Sequence, residues 1–99
     1  HDIHIPADGK VRRRRKARLR KAYGTSHMVD AEELGKVCKG KPELLIIGTG
    51  FQDMVRLTDD AKGFLRSCKA DWRLLPTPEA VELYNSTSGK KALLLHVTC

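Results

Sequence analysis

Aromatic side chains are scarce in this chain: one Trp, two Tyr and two Phe among 99 residues. None lies between Val11 and Ala22, so the basic stretch there has no stacking platform for single-stranded nucleic acid. Cysteine is also sparse. Cys38, Cys68 and Cys99 are odd in number and no two have Cys-x-x-Cys spacing, which argues against a disulfide scaffold and a four-thiolate zinc site. Reduced thiols and a cytoplasmic location are the expectation. Long apolar runs are missing too. The longest are residues 44–47 and 92–95, far below the ~20 residues of a membrane helix, so no membrane association is expected. No basic-then-apolar leader opens the chain, which starts at His1, and no secretory signal is read in it.

What is abundant is positive charge, and it is concentrated. Net charge is +7, yet residues 10–21 hold nine basic side chains and no acidic one. The rest of the chain has ten basic against twelve acidic residues. The sequence therefore describes a near-neutral domain carrying one cationic segment. With 40% hydrophobic and 31% charged residues it has a globular balance, and its length fits one domain.

His1 to Ile5 alternates polar and apolar residues, as a half-buried strand does. Asp8-Gly9 is a turn signal that can return residues 10–15 as a hairpin partner. Neither face of that partner is apolar enough to be buried, so the segment 10–22 reads as an edge strand or basic arm contributing little to the core. Asp30, followed by Glu33, has the form of a capping box, and Gly40-Lys41-Pro42 ends that helix. Residues 44–47 read as a central strand, broken by Gly48-Thr49-Gly50, and residues 54–57 as another short strand. Thr58 caps a second helix with Ala61, Phe64, Leu65 and Cys68 at helical spacing. Residues 72–75 form a strand. Thr77 is read as an N-cap before Pro78, with Val81 and Tyr84 facing inward. Residues 91–99 close the chain as a strand. Strands alternating with amphipathic helices predict a sheet with helices on its faces.

Four blocks carry a resemblance: Tyr23-Gly-Thr-Ser-His27, Lys41-Pro-Glu-Leu-Leu-Ile-Ile-Gly-Thr-Gly50, Leu75-Pro-Thr-Pro-Glu-Ala-Val-Glu-Leu-Tyr-Asn85 and Leu95-His-Val-Thr-Cys99. In this order they resemble the small uncharacterised α/β domain family that includes the mitochondrial complex I assembly factor 3 and the adipogenesis-associated domain protein, and most of all its microbial stand-alone members. The resemblance implies an α/β fold, a three-layer α/β/α sandwich around a mixed sheet with an N-terminal β-hairpin, in one domain spanning 1–99. It places a further strand before residue 1. It implies no reaction and no cofactor, and the basic run inherits no role from it.

Two sets of candidate residues stand out. His27, Gly48, Thr49, Gly50, His96 and Thr98 form a candidate ligand pocket, because amides at the carboxyl end of a buried strand can cradle an anion. A dinucleotide fingerprint needs a third glycine opening a helix, and Phe51-Gln52-Asp53 follows instead, so a tight turn explains the glycines as well. His96 and Cys99 lie three apart and point to opposite faces of an extended chain, which disfavours a thiol–imidazole pair. The histidines lack a metal-ligand spacing, and no catalytic residue or metal ligand is assigned. The second set is Arg12, Arg13, Arg14, Arg15, Lys16, Arg18 and Arg20, a candidate polyanion surface acting by counterion release, or else a solvated arm.

The expected function is a non-enzymatic binding or assembly module with a protein partner. A small ligand-binding protein or enzyme using the loop 48–50 with His27 and His96 is the second reading. Weak, sequence-independent nucleic-acid binding through residues 10–21 is the third.

Overall fold

The computed structural model describes residues 2–25, 27–50 and 55–96. In chain order its elements are β1 (Ile3–Ile5), β2 (Arg12–Arg13), α1 (Ala17–Tyr23), β3 (Met28–Val29), α2 (Ala31–Val37), β4 (Leu44–Gly48), β5 (Arg56–Leu57), α3 (Asp59–Ser67), β6 (Asp71–Leu75), α4 (Thr77–Ser86) and β7 (Lys91–Leu95). The main sheet has the order β2-β1-β7-β4-β6, and β3 and β5 form a separate parallel pair. β4 runs parallel to both β6 and β7, while β1 is antiparallel to β2 and β7. The sheet is therefore mixed, and the strands expected at 44–47, 72–75 and 91–99 appear in it as β4, β6 and β7, the last described over Lys91–Leu95, with residues 97–99 outside the described residues.

Alternation along β4 and β7 explains why helices cover both faces. Leu45, Ile47, Ala92 and Leu94 point to one side and pack with Leu34 and Val37 of α2, Ala61 and Leu65 of α3, and Val29 and Val55. Ile46, Leu93 and Leu95 point to the other, where they meet Ile5 and Ala80 of α4. Apolar burial of this kind is the main stabilising term.

The caps largely follow the sequence. Asp30 accepts from Glu33 N at 3.1 Å and Thr58 Oγ1 accepts from Ala61 N at 3.2 Å. Three expectations need correction. First, the basic segment is not all edge or arm. Residues 12–13 are the edge strand, but residues 17–23 form α1, whose Leu19 is fully buried and whose end is closed by Gly24 at φ 74°. Ala, Leu, Arg and Lys are good helix formers, so the helix is consistent with local propensity despite its charge. Second, α4 begins one residue earlier than expected. Pro76 holds the cap position, so Thr77 does not cap the helix. Third, Val81 is exposed, and the inward face of α4 is Ala80, Leu83 and Tyr84. Cys38 and Cys68 are half-buried.

Candidate functional site

The loop after β4 is turned into the protein. Thr49 N donates to Leu75 O at 2.8 Å, and Gly50 N donates to Thr77 Oγ1 at 3.0 Å. Thr77 Oγ1 in turn donates to His96 O. These amides therefore have protein acceptors. Gly48 is required by packing: a Cβ there would stand 2.6 Å from Leu95 Cδ1 and 3.2 Å from Thr77 Oγ1. Gly50 has φ 101°, a conformation that favours glycine. His27 and His96 do come together, edge to face, with ring centroids 5.1 Å apart. Thr98 and Cys99 lie outside the described residues.

His96 belongs to a buried ionic cluster that its own sequence neighbourhood does not announce. Its Nδ1 lies 2.5 Å from Asp2 Oδ2, and Arg14 Nη1 lies 3.2 Å from the same carboxylate oxygen. Arg14 Nη1 is also 3.2 Å from His96 Nδ1. The shorter contact assigns the ring proton to Nδ1, donated to Asp2, and leaves Arg14 as a neighbour of that nitrogen rather than its donor. Burial holds the His96 pKa below its ordinary value, opposed by Asp2 and reinforced by Arg14 and His27. The imidazole is thus neutral at neutral pH. An Asp–His pair of this shape orients general bases in hydrolases. Here His96 is only 2% exposed.

Arg14 ties this cluster together. It is also 2% exposed. Its Nε donates to Glu33 Oε2 at 2.5 Å and its Nη2 to Glu33 Oε1 at 2.9 Å and to Met28 O at 2.7 Å. The guanidinium fork thus joins the hairpin to α2 and β3, a geometry that lysine does not provide. Glu33 serves this pairing instead of returning to the Asp30 amide as a capping box would. Arg18 is likewise committed, with hydrogen bonds of 2.7 and 2.8 Å to the two oxygens of Asp30. The Arg18 guanidinium, before any other cause, brings the Asp30 pKa down to about 2.

Several cations open onto a cleft of about 870 Å³ between the hairpin, α1 and the end of α2. Arg12, Arg13, Arg15, Arg18, Lys36 and Lys39 line it against only two carboxylates, Asp8 and Glu33. Both carboxylates already have cationic partners: Asp8 pairs with Arg12 at 3.0 Å and Glu33 with Arg14. Among the described residues, no ion pair engages Arg13, Arg15, Lys36 or Lys39. His4 of β1 also lines the cleft, and its Nδ1 is buried without a hydrogen-bond partner among the described residues. Burial and the nearby Arg12, Lys36 and Arg14 hold its pKa below the usual value. Of the basic residues singled out in the sequence, Arg12, Arg13, Arg15 and Arg18 meet in this cleft. Arg14 lies buried behind it, while Lys16 and Arg20 do not line it. Lys36, Lys39 and His4 were not legible as partners, because only the packing of α2 beside the hairpin brings them near.

A small mixed α/β domain with a sealed ionic cluster and an open cationic cleft is the class of protein that these features define. The chain belongs to the family described as "Protein of unknown function (DUF498/DUF598)", whose model matches residues 5–95. Among solved structures it is similar to the conserved hypothetical protein PH1505 from Pyrococcus horikoshii OT3, with a TM-score of 0.89 and 35% identity, covering 100% of this chain and 84% of that one. A second similar structure, named MT938, gives a TM-score of 0.80 and 40% identity, covering 99% of this chain and 81% of that one. None of the curated proteins matches the chain. Among the described residues, no helix is long and apolar enough to cross a membrane.

Proposed function

We propose that this chain is a non-enzymatic binding module, and that its working surface is the cationic cleft. The observation that carries this reading is the convergence of Arg13, Arg15, Lys36 and Lys39, without ion pairs among the described residues, on one concavity. Like charges held together in a low-dielectric concavity repel one another until an anion enters, and they raise the local concentration of anions. The ligand is a compact anion rich in phosphate or carboxylate. A protein partner would present acidic side chains to the same cleft, which fits the assembly role suggested by the likeness to the mitochondrial complex I assembly factor 3. The half-buried, unpaired Cys38 and Cys68 suit a reducing compartment, and we place the protein in the cytoplasm.

Nucleic acid is the second reading, favoured by the exposed Arg12 and Arg13 on the sheet edge and the exposed Arg15 just after it. Calorimetric titration with inorganic tripolyphosphate, a glutamate-rich peptide and a DNA duplex separates the readings. The cleft reading expects a saturable, salt-sensitive site for the compact anion, lost in an Arg15→Ser, Lys36→Ser, Lys39→Ser variant. Binding confined to the duplex, with a salt slope of about −0.9 per phosphate, supports the second reading instead. Absence of binding by all three at low salt sinks both.

A further inference from the structure

The far edge of the sheet from the hairpin is formed by β6, and among the described residues no strand pairs with its outer side. Its inner edge pairs with β4: Asp71 N donates to Glu43 O at 3.0 Å, and Leu75 O accepts from Thr49 N at 2.8 Å. In a parallel ladder alternate residues bond to the same neighbour, so the N–H and C=O of Trp72 and Leu74 point away from β4. The Trp72 carbonyl is met by the guanidinium of the adjacent Arg73 at 2.8 Å. Trp72 is 39% exposed and Leu74 40%, so two large apolar side chains stand together on one face of an unpaired edge. The opposite edge of the sheet, β2, is Arg12-Arg13, a charged strand of the kind that discourages pairing.

We propose that β6 pairs antiparallel with β6 of a second copy of this chain, about a twofold axis at Trp72, joining two five-stranded sheets into one. Three independent features select this register. The first is backbone direction. With Trp72 opposite the partner's Trp72, the two residues exchange both outward hydrogen bonds, and Leu74 falls opposite the partner's Ala70, another outward position. A pairing centred on Arg73 satisfies the outward groups of Trp72 and Leu74 but sets Arg73 opposite the partner's Arg73, and like charges directly across an antiparallel pair repel. A pairing centred on Leu74 sets Trp72 against the partner's Pro76, which has no N–H to donate. The second feature is charge. The Trp72 register sets Asp71 opposite the partner's Arg73, twice by symmetry, and opposite charges directly across an antiparallel pair attract. Once the Trp72 carbonyl is taken by the partner's amide, the Arg73 guanidinium is released to that carboxylate. The third feature is shape. Trp72 borders a hollow of about 170 Å³ floored by Leu57 and Leu65 of the α3 side, next to where the partner's indole falls. Self-complementarity of one patch is what a twofold contact requires.

Sedimentation equilibrium of the intact chain tests the pairing. The expected result is a dimer. Arg73→Asp sets two carboxylates face to face at both symmetric positions, and Asp71→Arg sets two guanidinium groups there, so each variant self-associates at least roughly tenfold more weakly. An equimolar mixture of the two single variants re-associates, because each complements the other. The double variant Asp71→Arg, Arg73→Asp dimerises like the starting protein. Circular dichroism verifies that these exposed substitutions leave the fold intact. A chain that stays monomeric up to sub-millimolar concentration overturns the proposal. So does a dimer indifferent to both single substitutions, or a mixture that fails to re-associate.

Discussion

Arg14 and Glu33, nineteen positions apart in the chain, meet through two parallel hydrogen bonds of 2.5 and 2.9 Å with both side chains buried. The pair binds the β-hairpin to α2 beneath the cationic cleft, so the one arginine that faces inward fixes where its neighbours face outward.

Removing Arg14 is expected to damage folding more than any other single change in the basic run. Arg14→Ala leaves Asp2 and Glu33 buried without their shared cation. Breaking a buried pair in this way costs about 3–5 kcal/mol. Arg13→Ala, at the exposed position immediately before it, stays within about 0.5 kcal/mol of the starting protein. Urea unfolding of both variants checks the contrast. Equal effects would mean that Arg14 is not the anchor described here. Lysine at position 14 rescues little, since it keeps the charge but loses the fork.

How far all this was visible beforehand depends on the range of the interaction. Helices α2 and α3 were legible because Asp30 and Thr58 cap their own first turns, and β4 and β7 because a run of leucine and isoleucine has few other places to go. α1 was hidden by its charge: a single buried leucine among arginines gives no apolar stripe to read. Arg14 was hidden for a different reason. Five consecutive basic residues look alike in sequence, and only the positions of Asp2, Glu33 and His96 in space decide which one is buried. The cleft inherits the same limit. Its arginines were evident, but Lys36, Lys39 and His4 joined them only through tertiary packing.

Gly48 provides a test of packing at the base of the loop expected to bind ligand. Gly48→Ala drives a methyl group to within 2.6 Å of Leu95 Cδ1, with Thr77 and Ala80 close behind. Overpacking of a core site costs about 1–3 kcal/mol, and the melting temperature falls accordingly. An unchanged melting temperature would show that Leu95 yields freely and that the glycine is there for another reason.

Cys38 is expected to be a poor nucleophile. Burial, assisted by the nearby Cys68 thiol, pushes its pKa up to about 12. The thiolate is the reactive form, so labelling of Cys38 at pH 8 runs more than about tenfold slower than that of a free thiol with a pKa of ~8.5. Mass spectrometry of peptides after timed alkylation measures this directly. Rapid modification of Cys38 in the folded chain would contradict its place against the α2–α3 core.

Acid stability follows from Asp30 and Arg18. Asp30 titrates at about 2 in the folded chain, below its ordinary 3.8, chiefly because Arg18 holds both its oxygens. A carboxylate whose pKa is depressed by folding stabilises the native state fully above the unfolded value. That contribution shrinks as pH falls from about 4 towards about 2, because the unfolded chain takes up the proton first. His96 and His4 act in the same direction at higher pH. Their folded pKa values lie below 6.5, so the unfolded chain again binds protons more readily as pH drops through that value. Stability should therefore decline in two stages on acidification, first below about pH 6.5 and again below about pH 4. The stages separate by mutation. Arg18→Ala removes the cation that lowers the Asp30 pKa, and so flattens the second decline while leaving the first. His96→Gln lessens the first, leaving the share of His4, and leaves the second unchanged. Urea midpoints measured across the pH range report both. A profile in which Arg18→Ala changes the slope only above pH 5 would show that Arg18 does not set the Asp30 ionisation.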